Sequence, residues 1–227
     1  MVTGAQAEIA AATEAGTRKP PTLADELRSA IMSGDLVPNQ RLVETDLCEQ
    51  HGVNRGTVRA ALQELASYGL VDLMRNKGAK VRSVSLAEAI EITEVRMVLE
   101  GLSAAKAAER VAAEQAQALR GIGAEMRQAV DRSDHGRYSE LNAALHATVR
   151  QIADHQTSAA IITRLGAQVV RYQYHLSRRT GRASVSLPQH ELIIAAIVAR
   201  DPEAASTAMQ QHLRNVAAAL SEGGEGA

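Results

Sequence analysis

The sequence predicts a mainly α chain in two parts: a small N-terminal unit of three helices closed by a β-hairpin, and a larger C-terminal unit built only of helices. Three observations predict it. The composition is Ala-rich with five Pro in 227 residues, which favours helix. Apolar residues recur at helical spacing along most of the chain. Between Leu70 and Val84 alone the period shortens from 3.6 toward 2. Trp and Phe are absent and Tyr occurs four times, so the core must be aliphatic.

The elements follow in order. Residues 1–18 are small, polar and aperiodic and read as a disordered tail. Thr22 caps a first helix, with Asp25 in its first turn. Leu23, Leu27, Ala30 and Ile31 keep its apolar period and Gly34 stops it. Residues 35–40, with Pro38, read as a turn. A short helix runs from about Val43 to Gln50, and Gly52 opens a turn into the next. Asn54 is a good N-cap, because its side-chain oxygen can accept a free backbone N–H of the first turn. Val58, Ala61, Leu62 and Leu65 give that third helix an apolar face. Arg55 and Arg59, four apart, share another face, with Thr57 between them. Gly69 ends it. Leu70–Met74 and Ala79–Val84 read as two strands joined through Arg75 to Gly78, where Gly78 supplies the positive φ such turns need.

Three helices and a basic hairpin make a winged helix-turn-helix, which assigns residues 19–84 to double-stranded DNA. A helix presenting Arg, Thr and Arg in its first turns suits the major groove, where arginine donates two hydrogen bonds to guanine. The hairpin can follow a phosphate backbone or enter the minor groove. The formal charge of the whole chain is −1, so there is no global nucleic-acid signature. Between Asn54 and Arg82, however, six cations face two acids, and the charge is local. The alternative is a solvated basic face on ordinary helices.

Ser85 and Glu88 form a capping box that opens the second part, residues 85–221. Six helical stretches follow, at about 85–110, 113–131, 137–153, 157–179, 187–199 and 202–220. Asp201-Pro202 marks the start of the last. Residues 222–227 read as a flexible tail. One cysteine, Cys48, excludes an intrachain disulfide and fits a reducing cytoplasm. No apolar run is long enough to span a membrane and no signal peptide is visible, so the expected location is cytoplasmic.

Two constellations in the helical part carry chemistry. Of seven histidines, His146, His190 and His212 lie on apolar helix faces. His146 shares its face with Asn142, four residues back. Three imidazoles turned into one core can bind a divalent transition metal, with Asn142 as a possible fourth group. Three separate core histidines are the alternative. His155 and His175 read as surface or packing residues. The second constellation is Arg96, amid apolar residues and four before Glu100. A buried arginine needs an anionic partner. Either Glu100 supplies it, or Arg96 reaches a cavity and holds a ligand carboxylate.

Taken together these segments resemble the GntR superfamily of bacterial transcription regulators, in the FadR subgroup with an all-helical FCD effector domain. The resemblance spans about residues 20–221. It is carried by Gly34-Asp-Leu-Val-Pro38 with Arg41-Leu42, by Val53-Asn-Arg-Gly-Thr-Val-Arg-Ala-Ala-Leu62, and by Gly69-Leu-Val71. Asn54 stands where the family's capping serine is usual, and Ala60 where glutamate is usual. The resemblance implies that Arg55 and Arg59 contact bases and phosphates and that Gly78 is the wing-tip glycine. Thr45 stands where some members carry a third arginine. It also implies a metal set of Asn142, His146, His190 and His212, with Asn142 replacing the commoner Asp. Arg96 matches the arginine of an Arg-x-x-Leu-Glu motif facing the effector pocket, and the six helices resemble the smaller VanR-type domain.

The expected protein is a homodimeric, ligand-responsive regulator, a repressor more than an activator, reading an inverted repeat. Arg55, Arg59 and Thr57 would give specificity; Arg41, Arg75 and Lys77 would hold phosphates. The effector would be a small carboxylic acid and the metal zinc or nickel. Two other readings are a regulator for which the metal itself is the signal, and a metal hydrolase. Against the hydrolase, no carboxylate stands in a clear general-base position near His146, His190 or His212.

Overall fold

A computed structural model describes residues 21–75, 77–177 and 179–223. The tail expected over 1–18 lies outside the described residues, as do residues 224–227 of the C-terminal one. The first unit comprises α1 (Leu23–Ser33), β1 (Arg41–Leu42), α2 (Glu44–His51), α3 (Arg55–Ser67), β2 (Val71–Met74) and β3 (Gly78–Val81). Its start and stop signals act locally. Thr22 and Asp25 form a reciprocal capping box at the start of α1, and Gly34 closes that helix at φ 94°. Asn54 caps α3 through Thr57 N at 2.9 Å. Leu27, Ile31, Val58, Leu62 and Leu65 are buried in one core with Leu70, Val71 and Val81.

The hairpin gains a third strand that has no local signal. β1 pairs antiparallel with β3, Arg41 opposite Lys80 and Leu42 opposite Ala79, giving the order β1-β3-β2. Gly78 makes this possible. It is buried at φ 84°, and a Cβ there would stand 2.1 Å from the Leu42 carbonyl oxygen. Its place is therefore inside the sheet, where it shapes the hairpin rather than reaching DNA. Gly78→Ala should lower the unfolding free energy by about 2–4 kcal/mol, combining αL strain with a displaced strand. Gly52→Ala is the control: its φ is 64° but nothing lies within 4 Å of the added carbon, so only about 1–2 kcal/mol of backbone strain is expected. Urea titration of both variants checks the difference.

The second unit is wholly helical: α4 (Leu86–Arg110), α5 (Ala113–Asp131), α6 (His135–Ala153), α7 (Gln156–Gln168), α8 (Val170–Ser177), α9 (Arg182–Val198) and α10 (Pro202–Gly223). α4 packs along α10, and Leu119, Met126, Leu145, Ile193, Ile197 and Met209 lie at the centre of an aliphatic core. The stretch read as one helix over 157–179 is broken at Val169, which is fully buried against Ala89 and Ile92 of α4. Seven helical segments therefore follow the wing among the described residues. α9 begins at Arg182, and Pro188 lies inside it rather than at its start. The box at Ser85 is half formed. Ser85 Oγ accepts from Glu88 N at 3.1 Å, but the Glu88 carboxylate pairs with Arg82 instead of turning back.

The break at Val169 is also where the two units meet. Arg82, just after the wing, donates to Gln168 at the end of α7. Tyr172 of α8 donates its hydroxyl to the Val84 carbonyl at 2.8 Å. No helix among the described residues is long and apolar enough to cross a membrane.

Candidate functional site

The winged unit exposes the cations assigned to DNA from sequence. Arg55, Thr57 and Arg59 are exposed on the first turns of α3, and Arg75 and Lys77 flank the hairpin tip. Arg41 is exposed on β1, beside Lys80. Asn54 is exposed, but its oxygen is occupied by Thr57 N and approached by the Thr57 hydroxyl at 3.3 Å. Thr45, near the start of α2, donates its hydroxyl to Asp46 at 3.1 Å. Arg59 is 63% exposed at the side chain, yet its Nε reaches both oxygens of Glu44 at 3.1 and 2.9 Å. Glu44 holds the arginine across the corner between α2 and α3. Arg55 has no such partner among the described residues.

The helical unit encloses a cavity of about 320 Å³ between α4, α6, α7, α8, α9 and α10. The three histidines singled out from sequence meet on it, one each from α6, α9 and α10, with candidate ligand atoms within 4.8 Å of one another. All three are buried, His190 at 1% exposure. Each uses Nδ1 for a neighbour. His146 Nδ1 donates to Glu100 Oε2 at 2.6 Å, and His212 Nδ1 donates to Gln189 Oε1 at 2.9 Å. His190 Nδ1 shares a 2.9 Å hydrogen bond with the Tyr138 hydroxyl. These bonds orient the rings and leave Nε2 of each for a common ligand. His190 Nε2 is buried with no partner.

Burial lowers the pKa of His190 well below its usual value, and the other cavity charges add to this. Burial pushes His212 down to about 3. Both rings are therefore neutral at pH 7, the form that ligates metal. An orphaned buried nitrogen on His190, beside the oriented rings of His146 and His212, fits a divalent transition metal. Asn142 lines the same cavity, half-buried and with no hydrogen-bond partner among the described residues.

Arg96 pairs with Glu100 and also lines the cavity. Its Nε and one terminal nitrogen donate to Glu100 Oε1 at 3.0 and 2.5 Å. Its other terminal nitrogen, Nη1, is buried without a partner, and the side chain lines the cavity. Burial alone would raise the Glu100 carboxyl; Arg96 and His146 outweigh it and keep that group ionised. Glu100 is thus a carboxylate beside His146 that the spacing did not disclose, since it was assigned to Arg96 alone. With Arg96 on one oxygen and His146 on the other, it is not free to act as a base. Tyr138 and Gln189 also escaped sequence reasoning. Tyr138 sits four and eight residues before Asn142 and His146, on their helical face, and that spacing was the available signal.

A winged helical unit with an arginine-bearing α3, joined to a helical bundle around a polar cavity, defines a DNA-binding regulator. Residues 21–81 match the bacterial regulatory proteins of the gntR family, and residues 91–215 match the FCD domain. The chain is 30% identical to the HTH-type transcriptional repressor RspR of Escherichia coli K12, over 84% of this chain and 83% of that one. It is 26% identical to a probable D-xylose utilization operon transcriptional repressor of Paenarthrobacter nicotinovorans, over 85% and 86%. The solved structure of E. coli McbR/YncC shares the fold, with a TM-score of 0.73 at 21% identity over 88% of this chain and 95% of that one. The chain belongs to the GntR family and carries an FCD domain; it is a DNA-binding transcription regulator, not an enzyme.

Proposed function

We propose that this regulator is a cytoplasmic, homodimeric repressor that binds an inverted-repeat operator and is released by a small carboxylic acid. The acid enters the histidine cavity, where a divalent transition metal, zinc or nickel, is held by His146, His190 and His212 with Asn142 beside them. When bound, the metal supplies a Lewis-acidic site for one carboxylate oxygen. Arg96 lines the same space, and its unpaired Nη1 would offer a charge-assisted hydrogen bond. The observation that carries this reading is the coincidence in one cavity of three oriented imidazoles and an arginine nitrogen without a partner.

Two further features support it. Val95, Val98 and Leu102 form an exposed apolar stripe on α4, a face that a second copy of the chain would cover. Two winged units related by a two-fold axis then match a two-fold operator. Moreover, α7 and α8 both wall the cavity and carry the contacts to the winged unit through Gln168 and Tyr172. A ligand that moves α7 and α8 moves the DNA-binding faces relative to each other. Release works only if the acid binds the two arrangements unequally.

Fluorescence anisotropy on DNA from the gene's own upstream region tests the reading. Metal-loaded protein should bind it against random competitor, and an acid that occupies the cavity should weaken that binding by about 5- to 150-fold. An acid that binds the cavity tightly and leaves operator affinity unchanged refutes the effector role.

A further inference from the structure

A second cavity, of about 200 Å³, lies where the winged unit meets the helical unit. Arg82 and Val84 line it just after the wing, and Arg171, Tyr172 and His175 line it from α8. Arg171 is its unmatched member. The side chain is half-buried, its Nη1 is buried with no hydrogen-bond partner, and the guanidinium makes no ion pair among the described residues. A Cβ built on Gly34 would stand 3.7 Å from Arg171 Nη2, so the guanidinium lies beside the C-terminal cap of α1. The negative end of that helix attracts a cation, but no oxygen there accepts from Arg171 among the described contacts. Arginine keeps its proton in a protein, and a buried donor without an acceptor is costly.

The other groups of the cavity leave that donor unmatched. Arg82 is committed at both terminal nitrogens, one to Gln168 and one to Glu88, while its Nε is uncommitted among the described contacts. Glu88, whose charge reaches Tyr172, is thus held by Arg82 rather than by Arg171. Tyr172 spends its hydroxyl on the Val84 carbonyl. His175 is exposed and stands four residues after Arg171, on the same face of α8. Donors therefore come from two elements, the segment after the wing and α8, with no carboxylate among the described residues free to meet them.

We infer that this joint is an oxyanion site in which Arg171, with Arg82 and His175 on the same cavity, holds a phosphate group, free or at the end of a small phosphorylated molecule. A carboxylate has two oxygens, and one guanidinium fork satisfies both. A phosphate group presents at least three strong acceptor oxygens, enough to bridge α8 and the segment after the wing. A volume of about 200 Å³ falls below the range for whole organic ligands and suits one such group. The site is separate from the histidine cavity, so the inference rests on neither the metal nor the carboxylic acid proposed there. α8 nevertheless borders both, since Gln173, Leu176 and Ser177 line the histidine cavity. A phosphate held at the joint ties α8 to the segment after the wing and steadies the contact between the two units.

Hydrogen exchange of the full-length, metal-loaded protein tests this at fixed ionic strength with three probes: inorganic phosphate, glycerol 3-phosphate and acetate. The phosphates should slow backbone exchange in residues 82–88 and 168–175, and acetate should not. Stronger protection by glycerol 3-phosphate assigns the site to a phosphorylated molecule, and stronger protection by inorganic phosphate assigns it to the free ion. Isothermal titration of phosphate should then show about tenfold to a hundredfold weaker binding in Arg171→Gln, the worth of a charge-assisted hydrogen bond. Absence of protection in these segments overturns the inference, as does equal protection by acetate. So does phosphate binding that Arg171→Gln leaves unchanged, because the ion then sits at the DNA-binding face or in the histidine cavity. The exchange comparison uses wild type alone, so a misfolded variant does not blunt the test. None of these outcomes bears on the function proposed for the histidine cavity.

Discussion

Arg59→Ala is expected to remove most of the preference for operator over random DNA while leaving the fold intact. Arg59 is exposed on α3, one turn from its N-terminus, and contributes nothing to the aliphatic core. Its one tie is to Glu44, and an exposed pair of this kind is worth about 0–1 kcal/mol. A bidentate contact to guanine discriminates by about 1–3 kcal/mol. The proposed dimer would make the contact twice, so the loss should reach about 2–6 kcal/mol, roughly 30-fold to 20,000-fold in specificity ratio. Arg75→Ala and Lys77→Ala should behave differently. Phosphate contacts carry no base information, so these variants should weaken binding to all DNA alike and flatten the salt dependence. Competition anisotropy at two salt concentrations separates the two classes. If Arg59→Ala still ranks operator over random DNA as the wild type does, α3 is not the reading helix.

Much of this fold was legible because its signals are local. Thr22, Asn54, Gly34 and Gly69 act within one turn of themselves, and each marks a helix boundary in the structure. What escaped depends on residues far apart in sequence. β1 is two residues long and exists only because Lys80 and Ala79 lie opposite it; nothing in Arg41-Leu42 announces a strand. The break at Val169 follows from packing against Ala89 and Ile92, eighty residues earlier. The helix expected from about residue 187 begins earlier, since Gly181, at φ 78°, starts α9 one turn and more before it. The cavity divides the same way. Apolar-face position and the family resemblance singled out the three histidines, and the structure brings their rings together. The groups that orient those rings, Glu100, Tyr138 and Gln189, are visible only once α4, α6, α9 and α10 are packed. Arg150 and Arg182 had no motif to mark them; only the cavity shows that they face it.

His190→Gln is expected to lower affinity for zinc or nickel by well over the ten- to hundredfold that follows loss of an orienting group, because it would remove a proposed ligand outright. Nothing nearby replaces that ligand: of the described His, Cys, Asp and Glu residues, only His146, His190 and His212 group closely enough to hold an ion. Glu100→Gln is the informative comparison. It keeps all three imidazoles but removes the carboxylate that accepts from His146, so metal affinity should fall only within the ten- to hundredfold range. It should also destabilise the protein by about 3–5 kcal/mol, since Arg96 is left buried without a counter-charge. The metal-free protein adds a check on the sign. His190 and His212 have folded pKa values below the usual 6.5. As pH falls through that value, the unfolded chain takes up protons that the folded one refuses. Stability is therefore complete above about pH 6.5 and is lost progressively below it, toward pH 3. A metal that occupies the site should stay bound below pH 6.5 and leave only as pH approaches the folded His212 value of about 3, because protonated imidazole cannot ligate. Metal titration reads the two affinity effects, and urea unfolding of the metal-free protein at pH 7.5 and pH 5.5, with wild type and both variants, reads the two stability effects. Equal metal affinity in wild type and His190→Gln would show that the ion sits elsewhere and that the cavity is an arginine-lined anion site alone.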